Sequence, residues 1–250
     1  ILAGKDVIGQ GKTGSGKTAA FGLGLLQKLD VKNFRVQSLV LCPTRELADQ
    51  VAKEIRKLAR TVHNVKGLTL CGGMPFGPQV GSLEHGAHII VGTPGRIEEH
   101  LRKGKLKLES VTTLVLDEAD RMLDMGFQPA IDAILAKTPS QRQTLLFSAT
   151  YPQEIQAIAE RVMAAPVMAR VTSTHDKVTI EQHFYAVEGK EHRRKGLISL
   201  LNHFRPDSAL VFCNTRRETQ AVADMLVDRG FSALALHGEL EQRDRDTTLV

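Results

Sequence analysis

The residues with the most specific chemistry form a glycine-rich stretch at positions 11–18, which reads Gly-Lys-Thr-Gly-Ser-Gly-Lys-Thr. It fits the pattern G-x-x-x-x-G-K-[ST], follows an apolar run at 6–8 and precedes a helical pattern at 19–29. Its glycines let backbone N–H groups and a helix N-terminus face phosphate oxygens. Lys17 would reach the β- and γ-phosphates of a nucleotide, and Thr18 would bind Mg²⁺. The alternative is a glycine-rich turn that only caps a helix. The predicted phosphate-binding residues are Thr13, Gly14, Ser15, Gly16, Lys17 and Thr18.

Two adjacent carboxylates, Asp117 and Glu118, directly follow an apolar run at 113–116. Acids at a strand end, downstream of a phosphate loop, are typical of the Walker B site of nucleotide hydrolases. Asp117 would hold Mg²⁺, partly through water, and Glu118 would orient or deprotonate the attacking water. The alternative is an acidic helix start, since carboxylates are favourable at helix N-termini. The predicted catalytic residues are Lys17, Asp117 and Glu118.

Short apolar runs alternate with amphipathic segments along most of the chain. The runs are nearly continuous in apolar residues, as in strands covered on both faces; they lie at 38–42, 88–91, 113–117, 144–147, 209–213 and 233–236. Helical patterns between them include 46–60, 155–163 and 217–229. This alternation predicts an α/β fold with a mostly parallel sheet flanked by helices. Functional side chains should then gather at the carboxyl ends of the strands.

A break in this pattern lies near 165–178, where Pro166 and a Ser-Thr cluster interrupt the periodicity. It predicts a first domain at 1–170, a linker at 171–180 and part of a second domain at 181–250. The chain also begins at Ile1 without a methionine and ends at Val250 inside a charged helical pattern. We therefore expect it to be a fragment of a longer protein.

The composition limits the class of protein and the kind of partner. Hydrophobic residues at 42% and charged residues at 24% exclude disorder as the main state, and no apolar run approaches the roughly 18 residues of a membrane span. The three cysteines are far apart, which argues against a disulfide framework and for a reducing, cytoplasmic compartment. The net charge of +5 permits a polyanionic partner. Because aromatic residues make up only 4%, a nucleic acid would be contacted mainly through its backbone.

Residues 117–120 read Asp-Glu-Ala-Asp, and with this motif the chain resembles a DEAD-box RNA helicase. Further motifs occur in the order of that family: Pro-Thr-Arg-Glu-Leu-Ala at 43–48, Gly-Gly at 72–73, Thr-Pro-Gly-Arg at 93–96, Ser-Ala-Thr at 148–150, Val-Phe-Cys-Asn-Thr at 211–215 and Gln-Arg-Asp-Arg at 242–245. The stretch 236–244 is similar to the bacterial DbpA-like branch of the family. The resemblance covers essentially the whole chain. It implies two P-loop, RecA-like domains, the second one truncated here, that close around ATP and a single RNA strand.

The resemblance assigns roles to residues outside the phosphate loop. Asp120, Ser148 and Thr150 would couple the nucleotide site to RNA and to domain closure; for the last two, a simple strand-to-helix turn is the alternative. Contacts to the RNA sugar-phosphate backbone would come from Thr44, Arg45, Gly73, Thr93 and Arg96 in the first domain and from Asn214, Thr215 and Arg245 in the second.

The residues of segments 43–48 and 93–96 fit these roles by themselves. Each segment follows a strand-like run and offers a hydroxyl, a guanidinium and a helix start, which suits phosphate oxygens. The alternatives are an ion pair of Arg45 with Glu46 or Asp49, and a helix cap at Thr93 with Pro94 at the first helical position.

The expected activity of the whole protein is therefore ATP-dependent local unwinding or remodelling of RNA. ATP and Mg²⁺ would be the cofactors, ribosomal RNA is among the candidate targets, and the family's usual state predicts a monomer. The family's adenine-reading motif and its arginine finger would lie outside these 250 residues, so we expect negligible RNA-stimulated ATPase activity from the chain alone. The alternatives are a DNA-directed P-loop translocase and, for this chain, a nucleotide-dependent RNA clamp without turnover.

Overall fold

The structure is a computed structural model that describes residues 1–12, 14–171 and 181–248. Thr13 and nearly all of the predicted linker at 171–180 lie outside the described residues. The chain divides into two compact units, one covering residues 1–175 and the other 176–250. None of the described helices combines the length and the apolar character needed to cross a membrane.

The first unit is built on one parallel sheet whose described strands follow the order β3-β4-β2-β5-β6-β1-β7. The strands are β1 Val7–Gln10, β2 Ser38–Leu41, β3 Gly67–Leu70, β4 Ile89–Gly92, β5 Thr113–Leu116, β6 Gln143–Ser148 and β7 Val167–Arg170. The α/β class with a parallel sheet is confirmed. The first four strand-like runs correspond to β2, β4, β5 and β6 within two residues at each end.

Helices cover both faces of this sheet. They are α1 Lys17–Lys28, α2 Arg45–Leu58, α3 Phe76–Glu84, α4 Pro94–Arg102, α5 Ala119–Asp124, α6 Gln128–Leu135 and α7 Gln153–Val162, and a short 3-10 helix, Ala59–Thr61, follows α2. In α2 the hydroxyl of Thr44 caps the helix by accepting from Leu47 N at 3.3 Å. Its buried residues Ala48, Val51 and Ile55 recur at helical spacing, so one stripe of the helix packs against the sheet.

Successive residues of each central strand enter opposite halves of the core. In β2, Leu39 and Leu41 belong to one buried cluster and Val40 to the other; in β5, Leu114 and Val115 divide in the same way. Helices α1 and α2 pack on one side, and α4, α6 and α7 on the other. Because both faces are covered, these strands are apolar at nearly every position.

The sheet order determines which loops become neighbours at the carboxyl edge. The segments after β3, β4 and β2 lie on one side of β5, and those after β6 and β1 lie on the other. The edge therefore carries Gly73, Thr93 and Arg45 on one side of Asp117, and the phosphate loop and Ser148 on the other side.

The second unit contains α8 Gly189–Phe204, α9 Arg216–Asp228 and α10 Gln242–Thr248. The strands predicted at 209–213 and 233–236 are not formed, and no strand is present at 181–248. The side chains of Leu210 and Phe212 are 88% and 91% exposed. A parallel strand needs neighbouring strands for its hydrogen bonds, so an apolar run without such partners does not become a strand. For these two segments the prediction was wrong in this structure.

Candidate functional site

The phosphate loop joins β1 to α1 at the carboxyl edge of the sheet. Gly14 and Gly16 have φ values of 83° and 81°, a left-handed conformation that side chains other than glycine adopt at a cost. Gly16 is also the N-cap residue of α1, so the loop leads directly into the helix N-terminus. The Lys17 ammonium folds back along the loop and donates to the Gly11 carbonyl at 2.7 Å. The loop therefore has the conformation and the helix N-terminus that the predicted phosphate site requires, and phosphate binding itself stays a prediction.

Asp117 lies at the end of β5, only 3% exposed, and its backbone N–H donates to the Leu41 carbonyl at 2.9 Å. Burial raises the pKa of its carboxyl from 3.8 to about 6; the Lys17 ammonium opposes this rise and Glu118 adds to it. Lys17 and Asp117 are therefore within electrostatic reach although they belong to different loops. A buried carboxylate that interacts electrostatically with the lysine of a phosphate loop is a suitable ligand for a phosphate-bound cation.

Glu118 has a left-handed backbone, with φ 51° and ψ 54°, at the N-cap position of α5. Its side chain makes no capping hydrogen bond; Glu118 Oε2 instead lies 3.4 Å from Nη1 of Arg121. The neighbouring carboxylates do serve the helix start, since Asp117 Oδ1 accepts from Glu118 N and Asp120 Oδ1 accepts from Arg121 N, and the catalytic role of Glu118 stays a prediction. A non-glycine residue in this conformation stores strain, and such strain is concentrated at functional sites.

Asp120 joins the loop after β5 to the loop after β6. Its Oδ2 accepts from the Thr150 backbone N at 3.0 Å and from Thr150 Oγ1 at 2.8 Å, while its own N–H donates to Ser148 Oγ at 3.4 Å. Burial acts to raise the pKa of Asp120, but the hydrogen bonds from Thr150 and Ser148 outweigh it and lower that pKa. Thr150 therefore holds the carboxylate of Asp120 in the first turn of α5, and the coupling role of the Ser-Ala-Thr segment stays a prediction.

A second cluster forms on the other side of β5, around the loop that contains Gly73 and Met74. Nη2 of Arg45 donates to Met74 Sδ at 2.9 Å, and Nη1 of Arg45 is buried without a hydrogen-bond partner among the described residues. Gly73 has φ 74°, and a Cβ there would lie 3.5 Å from that Nη1. A side chain at position 73 would therefore be strained by its backbone conformation, although its Cβ would only be in ordinary contact with Arg45.

Thr93 and Arg96 bind the same loop from α4. Thr93 is the N-cap residue of α4 with Pro94 at the first turn, yet its hydroxyl does not cap the helix and instead accepts from Gly72 N at 3.4 Å. Nη1 of Arg96 donates to the Met74 carbonyl at 2.9 Å, and its Nε pairs with Glu99 at 3.0 Å. The structure thus brings together Arg45, Gly73, Thr93 and Arg96, which lie in three separate segments of the sequence.

The second unit contains the remaining predicted RNA contacts. Asn214 and Thr215 are adjacent at the start of α9, where the Thr215 hydroxyl caps the helix by accepting from Glu218 N at 3.2 Å. Arg245 lies in α10, and its backbone N–H donates to the Glu241 carbonyl at 3.1 Å.

Several residues that support these clusters have no signal in the sequence. Met74 contacts both arginines, and a buried chain of Gln79 and His100 lies behind the same loop. Near the amino ends of the strands, the buried Asp6 carboxylate accepts from the backbone N–H groups of Thr144 and Ala164, each at 2.7 Å. Single polar residues at apolar positions of helices carry no distinctive pattern, so only their contacts identify them.

The described residues contain no group of three or more His, Cys, Asp or Glu side chains that could hold a metal ion by themselves. Mg²⁺ is usually held by one or two carboxylates together with phosphates and water, which is the donor set that Asp117 and Thr18 fit. The parallel sheet and the glycine-rich loop at the start of α1 define a P-loop α/β domain.

Comparison with known proteins makes the assignment more specific. Residues 1–158 match the DEAD/DEAH box helicase family and residues 192–250 match the helicase conserved C-terminal domain. The ATP-dependent RNA helicase DbpA of Escherichia coli is 59% identical over 254 residues, which include 100% of this chain and 54% of that protein. The DEAD-box ATP-dependent RNA helicase CshA of Geobacillus kaustophilus is 46% identical over 99% of this chain and 53% of its own length.

A solved structure agrees with these sequence relationships. The crystal structure of a DEAD box protein from the hyperthermophile Methanococcus jannaschii aligns with a TM-score of 0.65 at 40% identity, covering 98% of this chain and 65% of that one. The chain belongs to the DEAD/DEAH box helicase family. It spans about half the length of the curated relatives it matches. The resemblance that the motifs indicated, including similarity to the DbpA-like branch, is confirmed.

Proposed function

We propose that the protein carrying this chain is an RNA-stimulated ATPase that uses ATP to unwind or remodel RNA locally. The observation that carries the proposal is the arrangement at one sheet edge: a phosphate loop with a buried acid on one side of β5, and an arginine cluster on the other. Its relatives are named ATP-dependent RNA helicases, which supports the same activity here.

In this proposal the phosphate loop and the acids after β5 hydrolyse ATP. Backbone N–H groups at 14–18 and Lys17 bind the phosphates, and Thr18 and Asp117 hold Mg²⁺, partly through water. The bound Mg²⁺ would supply charge neutralisation at the β- and γ-phosphates. Glu118, whose carboxylate is not used to cap α5, orients or deprotonates the attacking water.

The hydrogen bonds of Asp120 connect this chemistry to the rest of the edge. Asp120 follows the catalytic pair by two residues and is bound to both Ser148 and Thr150 on the neighbouring strand end. A shift of Asp117 or Glu118 on nucleotide binding is therefore transmitted to the segment after β6. We infer that Asp120, Ser148 and Thr150 couple the nucleotide site to RNA binding and domain closure.

RNA is contacted through its sugar-phosphate backbone by the second cluster. Thr44 and Thr93 supply hydroxyls, Arg45 and Arg96 supply guanidinium groups, and the positive φ of Gly73 keeps the loop close to Arg45. Asn214, Thr215 and Arg245 add contacts from a second RecA-like domain that begins near 181 and follows a linker at 171–180. Few aromatic residues are available for base stacking, so sequence preference is weak and RNA is chosen over DNA by contacts to 2′-hydroxyls.

We also propose a biological setting for this activity. Similarity to DbpA supports ribosomal RNA as a substrate class and ribosome assembly as the process. The described cysteines are free, which suits a cytoplasmic location. We propose a monomer, as is general for the family.

ATP hydrolysis by the full-length protein, measured with equal lengths of single-stranded RNA and DNA, tests the proposal. We expect Mg²⁺-dependent hydrolysis that RNA stimulates and DNA does not, with Lys17→Met abolishing it. Equal stimulation by DNA would support a P-loop DNA translocase instead. Nucleotide-dependent RNA binding without turnover would indicate a clamp, and absence of both binding and turnover would reject the proposal.

A further inference from the structure

A chain of buried polar groups lies behind the loop that carries the arginine cluster. Gln79 in α3 donates from Nε2 to the Cys71 carbonyl at 3.0 Å, and its Oε1 lies 2.9 Å from Nε2 of His100 in α4. The exposed fractions are 9% for Gln79 and 0% for His100. Buried polar groups keep such partners because an unpaired group costs free energy on folding.

The donor at each step of this chain follows from its chemistry. The Gln79 amide must present its NH₂ group to the Cys71 carbonyl, since two oxygens facing each other would repel. Gln79 Oε1 is then the acceptor, so Nε2 of His100 carries the hydrogen and donates it. The other ring nitrogen, Nδ1, is buried without a partner among the described residues and is the unprotonated one.

His100 also holds the far end of the same loop through an aromatic contact. Its ring stacks on Phe76 with centroids 4.2 Å apart and planes 19° apart. The Lys103 ammonium lies 4.1 Å from the Phe76 centroid, and the Arg96 guanidinium lies 5.8 Å from it. Such cation–ring contacts stabilise the position of the ring.

Segment 71–76 is therefore fixed at both ends by one histidine. Cys71 is held through Gln79, and Phe76 is held by stacking. Between Cys71 and Phe76, the segment makes three of the hydrogen bonds described above. Gly72 N donates to the Thr93 hydroxyl, and Met74 accepts from Arg45 through its sulfur and from Arg96 through its carbonyl. The position of segment 71–76 therefore determines where the guanidinium groups of Arg45 and Arg96 lie.

We propose that His100 is a positioning residue for RNA binding: its N–H bond to Gln79 and its stack on Phe76 hold segment 71–76 so that Arg45 and Arg96 are aligned to contact phosphates. The inference rests on the proposed function of the arginine cluster. It adds a residue that does not itself contact RNA.

The test uses the full-length protein and begins with three substitutions. His100→Phe keeps an aromatic ring on Phe76 but removes the N–H donor, leaving the Gln79 oxygen unpaired. His100→Gln restores an N–H donor. His88→Phe is the matched control, because His88 is also 0% exposed, accepts one hydrogen bond from Lys66 N at 2.9 Å and has an aromatic neighbour, Phe34, yet lies before β4 at the opposite edge.

Two measurements are made on each variant. Fluorescence anisotropy gives the Kd for a labelled single-stranded RNA, and hydrogen exchange gives the protection of the amides of segment 71–76 without any RNA. For His100→Phe we expect about tenfold weaker RNA binding and faster exchange confined to this segment. His100→Gln should recover part of both effects, because it restores the N–H donor to Gln79 but not the stack on Phe76. His88→Phe should lower thermal stability and leave both readouts of the segment within twofold of the unmodified protein.

The outcomes separate this inference from the proposed function. If the unmodified full-length protein does not bind RNA, the function of the cluster fails, while exchange in segment 71–76 still tests the role of His100. Unchanged exchange and unchanged Kd in His100→Phe would overturn the inference. Equal loss of RNA binding in His88→Phe would also overturn it, because the effect would then be general destabilisation. Phe76→Leu repeats the test without a substitution at a fully buried site, and it should also accelerate exchange.

Discussion

Replacing Asp117 by asparagine should make the first unit more stable at neutral pH, although it removes a proposed ligand of Mg²⁺. The Asp117 carboxyl is 3% exposed, and burial raises its pKa from 3.8 to about 6. At pH 7.5 the folded chain must therefore keep a charge in a site that disfavours it. Asparagine has nearly the same shape and can still accept the hydrogen bond from Glu118 N, at 3.1 Å from Oδ1, without that charge.

The magnitude follows from the two pKa values. A pKa difference of one is worth about 1.4 kcal/mol, so the ionised carboxylate costs about 3 kcal/mol of folding free energy at pH 7.5. The folded pKa is raised, so the folded state binds more protons than the unfolded state between the two pKa values, and stability falls as pH rises through that window. The gain from Asp117→Asn should be about 3 kcal/mol above pH 6 and should shrink to about 0.5 kcal/mol at pH 4.

The gain in folding free energy can be measured by urea unfolding of the chain. Hydrogen exchange of peptides from β5 reports the unfolding of the first unit. Asp6→Asn is a matched control, because Asp6 is also a buried carboxylate but accepts two backbone hydrogen bonds at 2.7 Å. An amide supplies one acceptor oxygen instead of two, so this control should lose about 1–3 kcal/mol. An Asp117→Asn chain no more stable than the unmodified chain at pH 7.5, or equally stabilised at pH 4, would refute the reasoning.

The other predictions concern the proposed activity. Glu118→Gln in the full-length protein should lower RNA-stimulated turnover by about 10²–10⁴-fold while ATP and RNA affinities stay within twofold; near-normal turnover would remove Glu118 from the catalytic role. Thr150→Val removes the 2.8 Å hydrogen bond from the Thr150 hydroxyl to Asp120 but keeps the one from the Thr150 backbone N–H. The ratio of the ATPase rates with and without RNA should then fall more than the basal rate does. An unchanged ratio would contradict the coupling role. Gly73→Ala forces a side chain to φ 74°, at a cost of about 1–2 kcal/mol, and should weaken RNA binding without altering nucleotide affinity; equal losses of both would argue against a local effect.

Strain and burial at this site lower the stability of the first unit. Asp117 is a carboxylate in a site that favours its neutral form, and Glu118 has a left-handed backbone. Neither arrangement benefits the fold, and both are typical of functional sites, where stability and activity oppose each other. The stabilising hydrogen bonds of Asp6, near the opposite edge of the sheet, show that a buried carboxylate in this fold can also be fully satisfied.

The sequence by itself determined the features whose physical cause is local. The phosphate loop could be identified because its glycines, lysine and threonine must be contiguous to wrap one phosphate group and begin one helix. The strands β2, β4, β5 and β6 could be identified because burial on both faces requires apolar residues at successive positions. The α/β class follows from the alternation of such runs with helical patterns.

Tertiary structure decided which of these segments act together. Asp120 is hydrogen-bonded to Thr150, 30 positions away in the sequence, and Met74 is hydrogen-bonded to both Arg45 and Arg96. These contacts arise because the order of the strands in the sheet differs from their order along the chain. No local pattern encodes that order, since it depends on which strands pair. The same dependence explains the apolar run at 209–213, where strand propensity alone did not produce a strand. Pairing, burial and the direction of buried side chains such as His100 arise only when distant segments pack against one another.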